Sequence, residues 1–331
     1  MVATINNKPR LVALDIVRMV CIILVVIGHY DPSNAPSHYS NMLSVIYTFH
    51  MPVFLFISGY LYIITRKEES FNAFITKKIK RLAIPYLVTS AIVITIKLLT
   101  QGNAQVDHPV TAMSYLKMFY LPEAGYFLWF IWTLLLSFII VFFFKTKQAR
   151  LMLFITSLII SFLPSCGIDF FCLRQTQEML VYFMTGVVIA DYAQGLFKVG
   201  IIPTIIALLL FIGCEAYYIQ HQDSVLMYRL LAFVGIATVM TLCYNFEKYL
   251  PVLARSCMVL APSVYVIYLF HTTILGFAKA AFAKMPFLVN NFGFTFYLQA
   301  ICAIVCGVFI PILLYHFVIK QSKILRLLFG V

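Results

Sequence analysis

Residues 11–30 read LVALDIVRMVCIILVVIGHY. An apolar stretch of roughly 20 residues is what a helix needs to cross the hydrocarbon core of a bilayer. This one also carries an acid, an arginine and a histidine, and no small-residue cleavage site follows it. It is therefore expected to stay in place as a first membrane helix rather than to be removed as a leader. The residues Asp15, Arg18 and His29 are the informative ones, because an ionisable group at membrane depth is costly and usually has work to do. The spacing from Arg18 to His29 is close to a whole number of helical turns, so both point the same way, separated by roughly 16 Å along the axis. Asp15 lies one turn before Arg18 on that face and is placed to pair with it. The plainer alternative is a structural ion pair and a histidine satisfied by a neighbouring helix.

The rest of the chain repeats the apolar pattern. Of 331 residues, 63% are hydrophobic and 11% charged, and the mean hydropathy is +0.96. Further apolar runs fall near 42–65, 82–100, 126–144, 151–164, 178–192, 199–219, 226–245, 258–280 and 292–319. The expected fold is all-α: one transmembrane domain over residues 1–331, a bundle of about ten membrane helices with no separate soluble domain. The formal charge of +12 would suggest nucleic acid in a soluble protein. Here most of the 24 Lys and Arg fall in loops of one side, and only Lys97, Lys117, Arg174, Arg229, Lys279 and Lys284 lie on the other. That asymmetry puts both termini in the cytoplasm, with lipids and not nucleic acid as the surroundings. The eight cysteines form no metal pattern, and Cys166 and Cys172 flank an outer loop where a disulfide or a chance pair are both open. The outer segment from Gln101 to Gly125 is expected to cap the bundle.

Four further stretches carry candidates. In FHMPVFLFISGY (49–60), His50 should lie at a depth similar to His29 and share its cavity. Deeper in that helix, Ser58 is placed to line a channel, and Gly59 suits close helix packing. KKIKRLAIPY (77–86) gathers Lys77, Lys78 and Arg81 on the inside; phosphate binding, ordinary positive-inside topology and contact with anionic lipid heads all fit it. LWFIWTLL (128–135) puts Trp129 near the outer boundary, where a tryptophan is usually an anchor. SVYVIYLFH (263–271) puts His271 in mid-span, either at a site or hydrogen-bonded to a nearby helix.

At these residues the chain resembles the acyltransferase family 3 membrane proteins, a bacterial group that acylates sugars and other cell-envelope molecules. The likeness rests on the Arg-x10-His pattern of Arg18 and His29 with Asp15 before it, FLFISGY at 54–60, RLAIPY at 81–86, LWFI at 128–131 and YLFH at 268–271. HMPVF ahead of SGY looks like the fucose 4-O-acetylase-like branch. Where many members carry Arg-Arg-x-x-Arg, this sequence has Lys77, Lys78 and Arg81, which keep the charge and lose part of the bidentate fork. The resemblance implies a multi-pass protein of the bacterial inner membrane that moves an acetyl or other short acyl group from cytoplasmic acetyl-CoA to a hydroxyl near the outer face.

In that reading Lys77, Lys78 and Arg81 attract the CoA phosphates, Ser58 and Arg18 attend the donor, and Asp15 orients Arg18. His29 serves the acceptor as base or acyl carrier, His50, Trp129 and His271 contact substrate, and no metal is required. Its partners are acyl-CoA, a sugar or glycan acceptor and membrane lipids. The competing reading from another class is a transporter or flippase for an envelope precursor, with Asp15, Arg18, His29 and His271 forming a proton or substrate path.

Overall fold

The computed structural model describes residues 4–5, 8–9, 11–32, 35–102, 108–221, 224–285 and 294–331. Arg10, residues 103–107 of the expected outer cap and residues 292–293 at the start of the last apolar run lie outside the described residues.

Each apolar run forms a helix. In chain order they are α1 (Val12–Gly28), α2 (Ser37–Thr65), α3 (Phe71–Lys78), α4 (Ile84–Thr100), the short α5 (Ser114–Lys117), α6 (Trp129–Phe142), α7 (Lys147–Phe162) and α8 (Leu173–Tyr192). They continue with α9 (Ile201–Gln220), α10 (Val225–Tyr249), α11 (Pro251–Cys257), α12 (Val264–Ala283), α13 (Phe294–Phe317) and α14 (Lys323–Leu328). Ahead of α1, Thr4–Ile5 pairs antiparallel with Lys8–Pro9. Among the described residues, six stretches are long and apolar enough to cross a membrane: Ser37–Thr65, Phe71–Thr100, Ile201–Gln220, Val225–Tyr249, Pro251–Ala283 and Thr295–Gln321. The others fall short for visible reasons. Helices α1, α6 and α7 have 17, 14 and 16 residues, and α8 opens on the polar turn LRQTQE.

Helix α1 is the hub, packed against α2, α10, α12 and α13, with α8 behind α2 and α9 outermost against α10. In lipid the hydrophobic effect does not drive helices together, so close backbone approach and polar contacts must do so. Helices α2 and α8 show the first device. A Cβ built on Gly59 would fall 2.0 Å from the Phe183 carbonyl oxygen, and one on Gly186 would fall 1.9 Å from that of Phe56. The packing expected for Gly59 is thus borne out, through a reciprocal glycine on α8.

Polar contacts supply the second device. Arg150 of α7 clasps Asp191 of α8 through Nε at 2.6 Å and Nη2 at 2.8 Å, both side chains being buried. Its Nη1 also donates to the carbonyls of Phe144 and Lys145, which follow α6. Glu247 of α10 accepts the Ala13 N–H at 3.0 Å, satisfying one of the unpaired donors at the start of α1 with a negative charge at the positive end of the helix. Side-chain caps from Ser70, Thr146, Ser224 and Ser322 start α3, α7, α10 and α14.

Between α3 and α4 the chain does not break. A π-turn at Ile79–Ala83 joins them into one rod, so KKIKR is helical and not a loop. Such turns occur often at functional sites.

Candidate active site

The C-terminal end of α1 delivers His29 into contact with α12. Its ring stands edge-on to that of His271, with centroids 4.8 Å apart and planes at 83°. Phe127, just before α6, touches both, at 6.2 Å from His29 and 5.3 Å from His271. Tyr268, one turn before His271, closes the wall by packing 5.9 Å from Phe127 and donating its hydroxyl to the Phe127 carbonyl at 2.7 Å. Helices α1 and α12 and the turn entering α6 therefore meet at one point.

The protons of the histidines follow from their partners. A carbonyl can only accept, so each ring nitrogen facing one must carry the hydrogen. His29 Nδ1 donates to the Val25 carbonyl at 2.8 Å, His50 Nδ1 to that of Ile46 at 2.6 Å, and His271 Nδ1 to that of Tyr268 at 2.8 Å. In each neutral ring the lone pair is then on Nε2, the tautomer a general base needs. His271 is wholly buried, and its Nε2 has no hydrogen-bond partner among the described residues. A histidine satisfied by a neighbouring helix, the plainer reading of its sequence, is thus not what the fold contains.

His50 is buried on α2. Its ring lies 5.4 Å from Tyr47, whose hydroxyl donates to the Gly28 carbonyl beside His29. His50 and His29 interact electrostatically, so His29 has His271 in ring contact and His50 nearby on α2. At the N-terminal end of α1, Asp15 and Arg18 make the expected pair at 3.5 Å with both side chains partly accessible. Ser58 is half-buried, and its hydroxyl donates to Phe54 of its own helix at 2.8 Å. Trp129 begins α6 half-buried, in edge contact with Phe130, which in turn packs on Tyr268.

The three basic candidates diverge. Lys77 is exposed and paired with Glu69. Lys78 folds inward over the rings of Phe138, at 3.2 Å, and Phe74, at 5.3 Å. Arg81 lies exposed in the π-turn. A helix sends successive side chains in different directions, which a loop reading of the same residues cannot show.

Sequence reasoning passed over several groups. Phe127 and Tyr268 wall the histidine pair, and Tyr268 was visible only as a letter of YLFH. Glu215 of α9 is buried with Thr48 Oγ1 at 2.5 Å, and Arg229 of α10 is buried with Nη2 donating to the Ser161 carbonyl at 3.1 Å. Both stand inside apolar runs, the signal that picked out Asp15 and Arg18. Near the C-terminal end of α1, the Lys279 ammonium lies 5.8 Å over the ring of Tyr30, the residue after His29. Cys166 and Cys172 are free thiols, and burial, with Asp169 adding to it, pushes the Cys172 thiol up to about 12. Among the described residues no group of three or more His, Cys, Asp or Glu is gathered as metal ligands would be.

A helical bundle with membrane-length apolar helices and a histidine pair, His271 wholly buried and His29 half-buried, defines a polytopic membrane protein with an internal polar site. Residues 11–316 match the family described as "Acyltransferase domain", and the chain belongs to that family. Among curated proteins it is similar to nodulation protein NolL of Sinorhizobium fredii (strain NBRC 101917 / NGR234), with 34% identity over 140 residues. It is also similar to nodulation protein NolL of Mesorhizobium japonicum (strain LMG 29417 / CECT 9101 / MAFF 303099), with 29% identity over 142 residues. Each alignment covers 41% of this chain and 36% of the relative, so the chain spans about a third of the length of the curated relatives it matches. No solved structure matches.

Proposed function

We propose that the protein is an O-acyltransferase of the bacterial inner membrane, moving an acetyl or other short acyl group from cytoplasmic acetyl-CoA to a hydroxyl of a sugar or cell-envelope glycan. The observation that carries this reading is the His29–His271 contact at 4.8 Å, on the same helix face as Asp15 and Arg18. Residues 1–331 act as one transmembrane acyltransferase domain. Ten helices span, α1, α6, α7 and α8 included, and both termini are cytoplasmic. Arg18 and Arg81 meet the donor from inside, and the acceptor reaches His29 from the outer mouth.

The chemistry follows from the tautomers. The acceptor hydroxyl gives its proton to His29 Nε2 as its oxygen attacks the thioester carbonyl. When the tetrahedral intermediate collapses, the C–S bond breaks and the Nε2 proton passes to the leaving thiolate, so that CoA leaves as the thiol. His271 Nε2, an acceptor without a partner, holds the second hydrogen-bond position beside that proton. Neither His50 nor Ser58 suits an oxyanion, since each already commits its donor hydrogen to a carbonyl of α2.

The test is thioester cleavage of acetyl-CoA by purified protein in detergent. Wild type should bind and slowly cleave it, Arg18→Ala should bind it more weakly, and His29→Ala should bind without cleaving. Well-folded wild type that neither binds nor cleaves acetyl-CoA contradicts the proposal and favours a transporter.

A further inference from the structure

Near its start, helix α10 carries a cation that the chemistry above does not use. Arg229 is 6% exposed, and its Nη2 donates to the Ser161 carbonyl at the end of α7. Among the described residues its Nε and Nη1 have no hydrogen-bond partner, and no carboxylate forms an ion pair with it. A guanidinium stays charged, and a charge taken out of water needs an opposite charge close by. Arg150, also buried, shows the satisfied case, with Asp191 and two carbonyls around its fork. Snorkelling to water, the common resort of an arginine near a helix end, is not what Arg229 does, since its whole side chain is covered.

The groups around it leave room for a negative ligand. Tyr182 of α8 is wholly buried, its hydroxyl has no hydrogen-bond partner, and it interacts electrostatically with Arg229. The Tyr228 ring lies 5.8 Å from the guanidinium carbon, and its hydroxyl donates to the Tyr47 carbonyl at 3.3 Å. Tyr47 in turn donates to the Gly28 carbonyl, so the cluster lies at the same end of the bundle as His29. Glu178, half-buried one turn before Tyr182, is the carboxylate that acts on both tyrosines. Beside the cluster the surface is apolar: Ile159 and Ile160 precede Ser161, Leu226 and Leu230 flank Arg229, and all four are exposed.

We infer that Arg229 anchors a binding site for the phosphate of an anionic phospholipid, whose headgroup enters between α7, α8 and α10 while its acyl chains lie over the exposed apolar strip. The end of α7 and the first turns of α8 and α10 are where membrane helices meet the headgroup layer, and basic pockets between such helices take lipid phosphates. The open N–H groups of Arg229 meet the phosphate oxygens, and the Tyr182 hydroxyl adds a donor. Glu178 sets the charge of the ligand. Its carboxylate repels a doubly charged phosphomonoester more than the singly charged phosphodiester of a bilayer lipid. The inference uses the membrane-spanning reading above and is independent of the acyl-CoA chemistry.

The test is the melting temperature of the purified full chain in detergent, titrated with phosphatidylglycerol, phosphatidylcholine or inorganic phosphate. Phosphatidylglycerol should raise it, and the other two should not. Arg229→Gln should need about ten- to a hundredfold more phosphatidylglycerol for the same rise, the worth of a hydrogen bond to a charged group. Leu226→Glu, at an exposed position one turn from Arg229, sets a competing carboxylate there and should blunt the response in the same way; it decides the matter if Arg229→Gln is poorly folded. Glu178→Gln should respond to less lipid. An unchanged response in Arg229→Gln, or in Leu226→Glu where that variant decides, overturns the site, as does wild type that does not respond. A lipid-free Glu178→Gln destabilised as far as Arg229→Gln makes Glu178 the counter-ion and overturns it too. Inorganic phosphate that matches phosphatidylglycerol overturns the lipid as ligand.

Discussion

At the scale of single residues, a histidine whose Nδ1 hydrogen is tied to its own helix is a base held in one tautomer, and this site has two of them in ring contact. Replacing His29 by Ala should lower acyl transfer by about 10²–10⁴-fold, the usual worth of a general base, without loss of folded protein on size-exclusion chromatography. His271→Gln keeps some polarity and loses the imidazole; it should lower kcat by about ten- to a hundredfold, as expected for a hydrogen bond to a charged group. Ser58→Ala should change kcat and KM by less than about threefold, because its hydroxyl serves only the Phe54 carbonyl. Asp15, Arg18 and His29 were legible in the sequence because helical periodicity fixes which residues share a face. The meeting of His29 with His271 was not legible: periodicity says nothing of which faces of distant helices come together.

At the scale of elements, the apolar runs and the helices coincide to within a few residues at most ends, since a bilayer-length apolar stretch bounded by charge has little choice in lipid. The exceptions are instructive. The LRQTQE turn hid the start of α8, and KKIKR hid a π-turn, because polar residues at a helix end resemble a loop. The α2–α8 contact should be the most sensitive helix pair. Gly59→Ala and Gly186→Ala must displace backbone carbonyls, at a cost of about 1–3 kcal/mol or more, read as a lowered melting temperature in detergent. Gly213→Ala on α9, with nothing within 4 Å of the added carbon, should be neutral or slightly stabilising. Asp191→Ala leaves Arg150 buried without its carboxylate and should cost about 3–5 kcal/mol in the same assay.

At the scale of the molecule, the proposed function has the donor enter from one side of the membrane and the acceptor from the other, and the charge asymmetry sets which side is which. A C-terminal fluorescent-protein fusion should glow and a C-terminal alkaline phosphatase fusion should be inactive if the C-terminus is cytoplasmic; the reverse pattern contradicts the orientation. The central claim is that His29 and His271 act as one unit, and single-turnover cleavage of acetyl-CoA by wild type, both single alanine variants and the double variant tests it most directly. Residues that work together are strongly non-additive. The double variant should therefore be about as slow as His29→Ala alone, whereas additive losses, or full activity in His271→Ala, would contradict the pair as the seat of catalysis.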